Sequence, residues 1–278
     1  MCEPRCTFSI TPDAWAATTG IPCSIDDDLL EGESWRCPRT KADENHCVFH
    51  QPASETSAQQ LHSELRDAAN GTPTDTAIAD TALSDTPTDR ERARLATQLM
   101  GTRATQLDLR DDRVDANGTQ PLDLRCSEIE TVAFSGVALT RPLDLRGLRG
   151  TTVGLTDATI TGDCRLDYAR LEGTLDVAAA TVDGRLTGRH ATVARVDATA
   201  IDVQTHVDWR HLTVNGGVDI RGGRVDGRLR CRFATVDGDF DGSRVRLTGE
   251  TPYEQIHQLS CKALTTTGSI VFDGAVVD

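Results

Sequence analysis

Lysine is almost missing from this 278-residue sequence: apart from Lys41 and Lys262, all of the 29 basic residues are arginines. Acidic residues number 43, and the net charge is -14. Such a surface is typical of proteins that work at high salt, because arginine is weakly hydrated and screened carboxylates repel each other less. We therefore expect a halophilic source. The same acidity disfavours direct binding to nucleic acid, which requires a basic face.

Long apolar runs are also missing. No stretch approaches the ~20 consecutive apolar residues that span a bilayer. Residues 1–6 contain no apolar core of a signal peptide. We therefore expect a cytoplasmic protein without a membrane span, whose nine cysteines are reduced. Aromatic residues make up 4% of the chain, which is sparse for a globular core but sufficient for the narrow interior of a solenoid.

The composition of the first part of the chain separates a head from a linker. Residues 1–50 hold five cysteines and form a small Cys/His-rich head. Residues 51–88 are rich in Ala, Thr, Ser, Asp and Pro, which predicts a largely disordered linker. We expect one short helix within this linker, near residues 58–69.

A helix and a repeat region follow the linker. Thr88 and Glu91 have the spacing of a capping box, which predicts a short helix over residues 89–104 that caps the repeats. Residues 105–278 form the repeat region. The repeats are interrupted at 249–267, which we interpret as a surface excursion and as a second candidate binding surface.

The repeats follow an 11-residue pattern, for which Gly173-Thr-Leu-Asp-Val-Ala-Ala-Ala-Thr-Val-Asp183 is the template. Apolar or small residues recur at places 3, 5, 8 and 10 in the windows that begin at Gly162, Gly184, Thr205, Gly216, Gly227, Gly238 and Gly268. Two inward residues separated by one outward residue mark a short strand. Two windows make a coil of about 22 residues with four short faces. The sequence thus predicts an all-β fold, a parallel β-helix that is right-handed by the rule for parallel crossovers.

Two parts of the sequence resemble a known family. Three units, which begin at Ala169, Ala180 and Ala234, resemble pentapeptide repeats. The pattern of that repeat is Ala, any residue, Leu or Phe, and then two variable residues. Trp35-Arg-Cys37-Pro38, together with Cys47-Val-Phe-His50, resembles the Cys/His-rich head of haloarchaeal pentapeptide-repeat proteins. Some members of that group continue into a two-helix ion-channel pore. This chain has no such segment, so the resemblance does not imply a channel role.

The head offers the ligand types of a tetrahedral zinc site. We predict one structural zinc ion bound by Cys6, Cys37, Cys47 and His50. Cys2 and Cys23 are alternatives for one of the thiol ligands. A head with so little apolar content needs a metal to fold, and it lacks a His-Glu-x-x-His arrangement that would suggest catalysis. The alternative interpretation is a set of reduced thiols without a metal.

The repeats carry further cysteines and aspartates, whose placement disfavours an enzyme. We expect four of the cysteines to be inert. Cys164 and Cys231 occupy inward places, Cys126 lies at a corner, and Cys261 lies in the interruption of the repeats. Aspartate recurs at outward places in Asp176, Asp208, Asp219 and Asp241. Such regularity predicts a solvated acidic face rather than paired catalytic carboxylates. We therefore predict no catalytic residues.

Corner residues of alternate windows are expected to stack along one edge of the coil. They are Asp167-Tyr168, Arg189-His190, Arg210-His211 and Arg232-Phe233. Stacked rings stabilise such an array by ~0.5–1.5 kcal/mol a pair. The functional hypothesis is a docking strip for an acidic or aromatic-bearing partner, formed by Tyr168, Arg189, His190, Arg210, His211, Arg232 and Phe233.

The sequence as a whole predicts a non-catalytic interaction scaffold with a protein partner. One alternative is an acidic mimic of DNA that binds a DNA-handling protein, as some pentapeptide-repeat proteins do. Another is a soluble sensory or regulatory module of a membrane channel system, which the resemblance to channel-fused relatives implies. The last window, which begins at Gly268, is followed by no further window, which leads to two hypotheses: a homodimer formed through this open edge, or a downstream domain that is truncated.

Overall fold

The computed structural model describes residues 5–70, 78–84, 86, 88–114, 119–248 and 258–277. Its helices are α1 (Pro12–Thr19), α2 (Ala58–Asn70) and α3 (Asp89–Ala96), with single 3-10 turns at Asp27–Leu29 and Asp80–Ala82. Helix α3 begins as the capping box predicts, because the Thr88 hydroxyl accepts a hydrogen bond from the Glu91 N–H at 3.1 Å. It ends at Ala96 rather than at the expected residue 104, and a strand begins at Arg103. Within these ranges, no helix combines the length and apolar character needed to cross a membrane.

Short strands make up most of the remaining structure. In chain order they are β1 (Ser9–Ile10), β2 (Trp35–Arg36), β3 (Arg103–Asp108), β4 (Arg113–Val114), β5 (Leu122–Asp123), β6 (Glu128–Ala133), β7 (Ala138–Leu139), β8 (Leu143–Asp144), β9 (Arg149–Gly150), β10 (Thr152–Gly154), β11 (Thr159–Ile160), β12 (Cys164–Arg165), β13 (Arg170–Asp176), β14 (Thr181–Val182), β15 (Leu186–Thr187), β16 (Thr192–Asp197), β17 (Asp202–Val203), β18 (Val207–Asp208), β19 (Thr213–Val214), β20 (Val218–Asp219), β21 (Arg224–Val225), β22 (Leu229–Arg230), β23 (Thr235–Val236), β24 (Phe240–Asp241), β25 (Arg246–Leu247), β26 (Leu259–Ser260), β27 (Thr265–Thr266), β28 (Ile270–Val271) and β29 (Val276–Val277).

Strands β3 to β29 wind into a parallel β-solenoid. They form sheets of twelve, eight and seven strands in the described residues, whereas β1 and β2 pair antiparallel in the head. One coil runs from β14 through β15 and β16 to β17. Thr159 pairs with Thr181, and Thr181 pairs with Asp202, so equivalent positions recur after 22 and 21 residues. The predicted all-β coil of about 22 residues is therefore confirmed.

The interior of the coil is a stack of small and branched apolar side chains. Cys164, Leu186 and Val207 occupy successive rungs of one sheet in direct register, and each is fully buried. The inward place predicted for Cys164 is thus confirmed. The same continuous core extends into the head and onto helix α2, whose Leu61 and Leu65 are buried. The head, helix α2 and the coil therefore bury apolar side chains in one common core, and this burial stabilises their contact.

The segment expected to be a linker makes specific contacts where it is described. The short helix predicted near residues 58–69 is present as α2, which packs against β3. Further along, the Ala79 N–H donates to the Pro38 carbonyl at 2.9 Å. Tertiary contacts with the head and coil hold these parts of a segment whose composition predicts disorder. Residues 71–77, 85 and 87 lie outside the described residues.

The interruption of the repeats is shorter than its expected bounds of 249–267. Residues 249–257 lie outside the described residues. Leu259 pairs in register with Leu229, and Thr265 pairs with Thr235, so residues 258–267 belong to the coil. The repeat pattern did not reveal that the chain re-enters the coil at this point, because equivalent positions are 30 residues apart here rather than about 22.

Apolar side chains of the last strands are exposed. Ile270, Val276 and Val277 keep 47%, 43% and 52% of their surface accessible. Pairing of this edge with a second copy of the chain stays a prediction.

Candidate metal centre and stacked edge

Three separate segments bring the predicted metal ligands together. Cys6 lies beside residue 39, because its N–H donates to the Arg39 carbonyl at 2.8 Å. Cys37 follows β2, and its N–H donates to the Phe8 carbonyl at 3.0 Å. Cys47 and His50 share one tight turn, closed by a 2.9 Å bond from the His50 N–H to the Cys47 carbonyl. Short backbone pairings and one turn therefore bring the four predicted ligands to a single site.

The four donor atoms have the spacing of a tetrahedral metal site. All lie within 4.8 Å of one another, and all four residues are buried. The Cys37 and Cys47 sulfurs are 3.7 Å apart, and the His50 Nδ1 is 3.6 Å from the Cys6 sulfur and 3.2 Å from the Cys47 sulfur. A zinc ion with Zn–S bonds of about 2.3 Å would separate two thiolate ligands by about 3.8 Å. The donor set therefore fits a tetrahedral metal ion.

The imidazole of His50 is held in the orientation that a ligand needs. Its Nε2 lies 2.9 Å from the Met100 carbonyl, so Nε2 carries a hydrogen and Nδ1 faces the sulfurs of Cys6 and Cys47. The Phe8 ring stacks on the imidazole at 4.0 Å, with the planes 9° apart. The Cys47 N–H also donates to the Cys6 sulfur at 3.3 Å. These contacts orient the ligands before any metal binds.

The electrostatics of the cluster favour a cation. Hydrogen bonds from Cys37 and Cys47 lower the pKa of the Cys6 thiol, whereas burial raises the pKa of Cys37. Burial opposes a charge on His50, but the neighbouring Cys47 raises its pKa to about 9. Several thiols in a dry pocket cannot all ionise without a compensating charge. A bound divalent metal ion would supply that charge.

Of the two alternative thiol ligands, the structure describes Cys23, which does not join this cluster. Cys2 lies outside the described residues. Cys23 forms a disulfide with Cys126, 103 residues further along the chain. The expectations that all nine cysteines are reduced and that Cys126 is an inert corner thiol are therefore wrong. The reason is spatial, because the corner that carries Cys126 faces the head segment that carries Cys23.

Buried polar contacts fasten the head to the coil beside this disulfide. Arg125 is 2% exposed and donates to the Ser24 carbonyl at 2.6 Å, while it pairs with the buried Asp123 at 2.7 Å. Two rungs further, Arg170 donates to the Thr19 and Gly20 carbonyls at 3.0 and 2.9 Å. Carbonyls at the end of α1 thus accept charge-assisted hydrogen bonds, which are stronger than neutral ones.

The predicted edge column exists as a ladder of stacked rings. Tyr168 stacks on His190 at 5.0 Å, His190 on His211 at 4.5 Å, and His211 on Phe233 at 5.1 Å between ring centroids. We call these four residues the edge ladder. Each has a left-handed backbone, with φ between 57° and 61°. Their N–H groups donate to the next rung, as in the 2.8 Å bond from Tyr168 to the Arg189 carbonyl.

The edge ladder begins where the head ends. The rungs before Tyr168 carry Gly147 and Cys126 at the same corner, also with positive φ. A side chain at Gly147 would come within 3.5 Å of Ile21 in the head. The head therefore lies directly over Gly147, whereas rings occupy the rungs that the head leaves uncovered.

The three arginines beside the edge ladder have different partners. Arg189 pairs with Asp167 and Arg210 with Asp208, each at 2.7 Å. The guanidinium of Arg232 lies over the Phe233 ring, 5.8 Å from its centroid. Two of the three charges are therefore compensated within the protein.

A recurring Asp-x-Arg pair is a feature that the sequence interpretation missed. Asp208 and Asp219 accept hydrogen bonds from the arginine two residues later, at 2.7 and 2.6 Å. Asp176 and Asp241 instead accept from the backbone N–H two residues later, at 3.1 and 2.9 Å. These aspartates close corners and are not merely a solvated face. The repeated Asp-Leu-Arg triplets beginning at 108, 123 and 144 were the available signal.

Comparisons of the chain with protein-family models, with curated proteins and with solved structures find no match. The fold and the two sites described above are therefore the basis of the functional proposal.

Proposed function

We propose that the protein is a non-catalytic interaction scaffold with a head held by a structural zinc ion and a coil that presents the edge ladder to a protein partner. The closed donor set of the head carries the first half of this proposal. Three cysteines and one histidine supply four protein ligands, so no coordination position remains for a substrate. Thiolate and imidazole together favour zinc over magnesium or calcium, which prefer oxygen ligands.

The exposed rings of the edge ladder support the second half. Phe233 is 45% exposed, and both histidines are exposed as well. Aromatic residues and arginine are enriched in protein interfaces, where rigid rings bury large areas with little loss of entropy. The ladder is also rigid, because backbone hydrogen bonds between rungs hold each ring at the coil spacing. A partner would therefore meet a preformed strip of rings flanked by Arg189, Arg210 and Arg232.

The arrangement of aspartates favours this proposal over a mimic of DNA. Asp176, Asp197, Asp219 and Asp241 lie in register on successive rungs, in one row along a single sheet. A mimic of duplex DNA requires two spiralling stripes of negative charge. The carboxylates of this row are also engaged by their own corners, as in the pair of Asp219 with Arg221 at 2.6 Å.

Site-specific photo-crosslinking in cells of the source organism tests the docking role of the edge ladder. A photoreactive amino acid replaces His211 in one variant and Ala200 in the other. Ala200 is the matched control, because it has the same left-handed corner conformation, with φ of 56°, on a different edge. We expect a discrete protein adduct from position 211 and none from position 200. The same adducts from both positions, or none from 211, would contradict a docking role.

A further inference from the structure

The outer face of the seven-stranded sheet carries a grid of basic side chains over three successive rungs. The rungs read Arg185-x-Thr187-x-Arg189, His206-x-Asp208-x-Arg210 and Arg228-x-Arg230-x-Arg232. Thr187, Asp208 and Arg230 are in direct register across β15, β18 and β22. We call this grid the arginine face.

The arginine face borders a concave cavity of about 440 Å³. Six arginines and three aspartates line it, together with Thr187 and His206. The excess of positive charge contrasts with the net charge of -14 of the chain. A cavity of this size is within the range of ordinary small-ligand sites, about 300–1,000 Å³.

Arg230 and Arg232 lack the aspartate that stands two residues before arginine in the Asp-x-Arg pairs, because an arginine occupies that place in each case. Arg228 stands two residues before Arg230, where the Asp-x-Arg pairs have aspartate. The closest ion-pair contact of Arg230 is Asp208 at 3.9 Å, and Asp208 already pairs with Arg210 at 2.7 Å. The side chain of Arg185 forms no ion pair with the described carboxylates; Asp163 accepts a hydrogen bond from the Arg185 backbone N–H at 2.9 Å and pairs with the side chain of Arg165.

Three buried polar atoms at this face have no partner within the described part of the chain. The Nε atoms of Arg228 and Arg232 are buried without an acceptor. The hydroxyl of Thr187, a residue 8% exposed that lines the cavity, also forms no hydrogen bond. Buried polar groups are normally satisfied, so these atoms, of which the Thr187 hydroxyl belongs to a cavity-lining residue, indicate a ligand with several acceptor oxygens.

Repulsion among the basic side chains of the arginine face also indicates an anionic ligand. Burial lowers the pKa of Arg230, and the neighbouring Arg228, Arg210 and Arg185 lower it further. Burial also lowers the pKa of His206, with the same effect from Arg230 and Arg228. An anion in the cavity would relieve this repulsion.

We propose that the arginine face is a binding site for a compact multivalent oxyanion of the phosphate type. Guanidinium groups bind such anions through paired N–H donors, and the rung spacing of about 4.8 Å presents donors to more than one oxyanion group. The site goes beyond the proposed scaffold role, because its central residues lie on the sheet face and not in the edge ladder.

Isothermal titration calorimetry with inorganic pyrophosphate tests this site. The test variant is R185Q/R228Q, and the matched control is R224Q/R246Q, which removes two arginines in register on the eight-stranded sheet. We expect the test variant to bind pyrophosphate at least about tenfold more weakly than the unchanged protein, since a hydrogen bond to a charged group contributes about 1.5–3 kcal/mol. We expect the control to change the affinity by less than about twofold.

Two further arms make the outcome decisive. The variant R228D places an aspartate two residues before Arg230, as in the Asp-x-Arg pairs, so we expect it to be compatible with the coil. It should also lose pyrophosphate binding. Inorganic phosphate should bind more weakly than pyrophosphate to the unchanged protein. The absence of pyrophosphate binding at low salt, equal affinities in the test and control variants, or equal affinity for phosphate would overturn the proposal. None of these results affects the crosslinking test of the edge ladder.

Discussion

The imidazole of His190 stacks on the imidazole of His211, with ring centroids 4.5 Å apart and planes 5° apart. Both residues have left-handed backbones at the same corner of successive coils, and the His190 N–H donates to the Arg210 carbonyl at 3.1 Å. The backbone therefore sets the spacing of the rings, and the rings in turn shield that corner.

Removal of a central ring should weaken the coil. H190A deletes two stacking contacts, and alanine is accommodated at this conformation, as Ala179 and Ala200 show. We expect H190A to lower the free energy of unfolding by about 1 kcal/mol, whereas H190F, which keeps a ring, should stay near the original value. Urea denaturation measures both. Equal stabilities of H190A and H190F would show that stacking contributes nothing.

The edge ladder should also respond to pH through His190. Burial and the neighbouring His211 hold the pKa of His190 below its ordinary value of 6.5. The unfolded chain therefore binds the proton more readily, so the contribution of His190 is complete above pH 6.5 and is lost as the pH falls below that value. We expect the melting temperature to fall more for the unchanged protein than for H190F between about pH 7.5 and about pH 5.5. Parallel losses in the two proteins would contradict this account.

The buried ion pair of Asp123 and Arg125 beneath the head should contribute more to the free energy of unfolding than an exposed Asp-x-Arg pair. R125A leaves the carboxylate of Asp123 buried and removes the donor to the Ser24 carbonyl. We expect a loss of about 3–5 kcal/mol of unfolding free energy for R125A. The control R165A breaks the exposed pair with Asp163 and should lose about 0–1 kcal/mol. Urea denaturation compares the two, and similar losses would indicate that the head does not dock on Arg125.

The disulfide between Cys23 and Cys126 should stabilise the contact of head and coil. It closes a loop of 103 residues, and a cross-link of this kind lowers the entropy of the unfolded chain. We expect C23S to lower the free energy of unfolding by about 2–4 kcal/mol under non-reducing conditions. A thiol reductant should abolish the difference between C23S and the unchanged protein. A difference that persists after reduction would contradict a disulfide contribution.

Local periodicity made the coil and its edge predictable. Inward residues at fixed places in each window determine both the strands and the register, so the sequence alone assigns Tyr168, His190, His211 and Phe233 to one edge. The ligand types of the metal cluster were likewise visible, because Cys47 and His50 are three residues apart and belong to one turn.

Contacts between distant segments were not predictable in the same way. The pairing of Cys23 with Cys126 and the docking of Ser24 on Arg125 depend on how the head lies against the coil, which no local pattern encodes. Helix α2 has the composition of a linker, yet Leu61 and Leu65 are buried by tertiary contacts. The arginine face was also missed, since each of its rungs looks ordinary until the register places Arg185, His206 and Arg228 side by side.

Metal content is the most direct measure of the proposed zinc-stabilised head. Inductively coupled plasma mass spectrometry should find about one zinc ion per chain in the purified protein. C164S, which changes a buried thiol of the coil, should keep this zinc, whereas C37S and C47S should lose it. A preparation without zinc, or full zinc retention in C37S and C47S, would contradict the account.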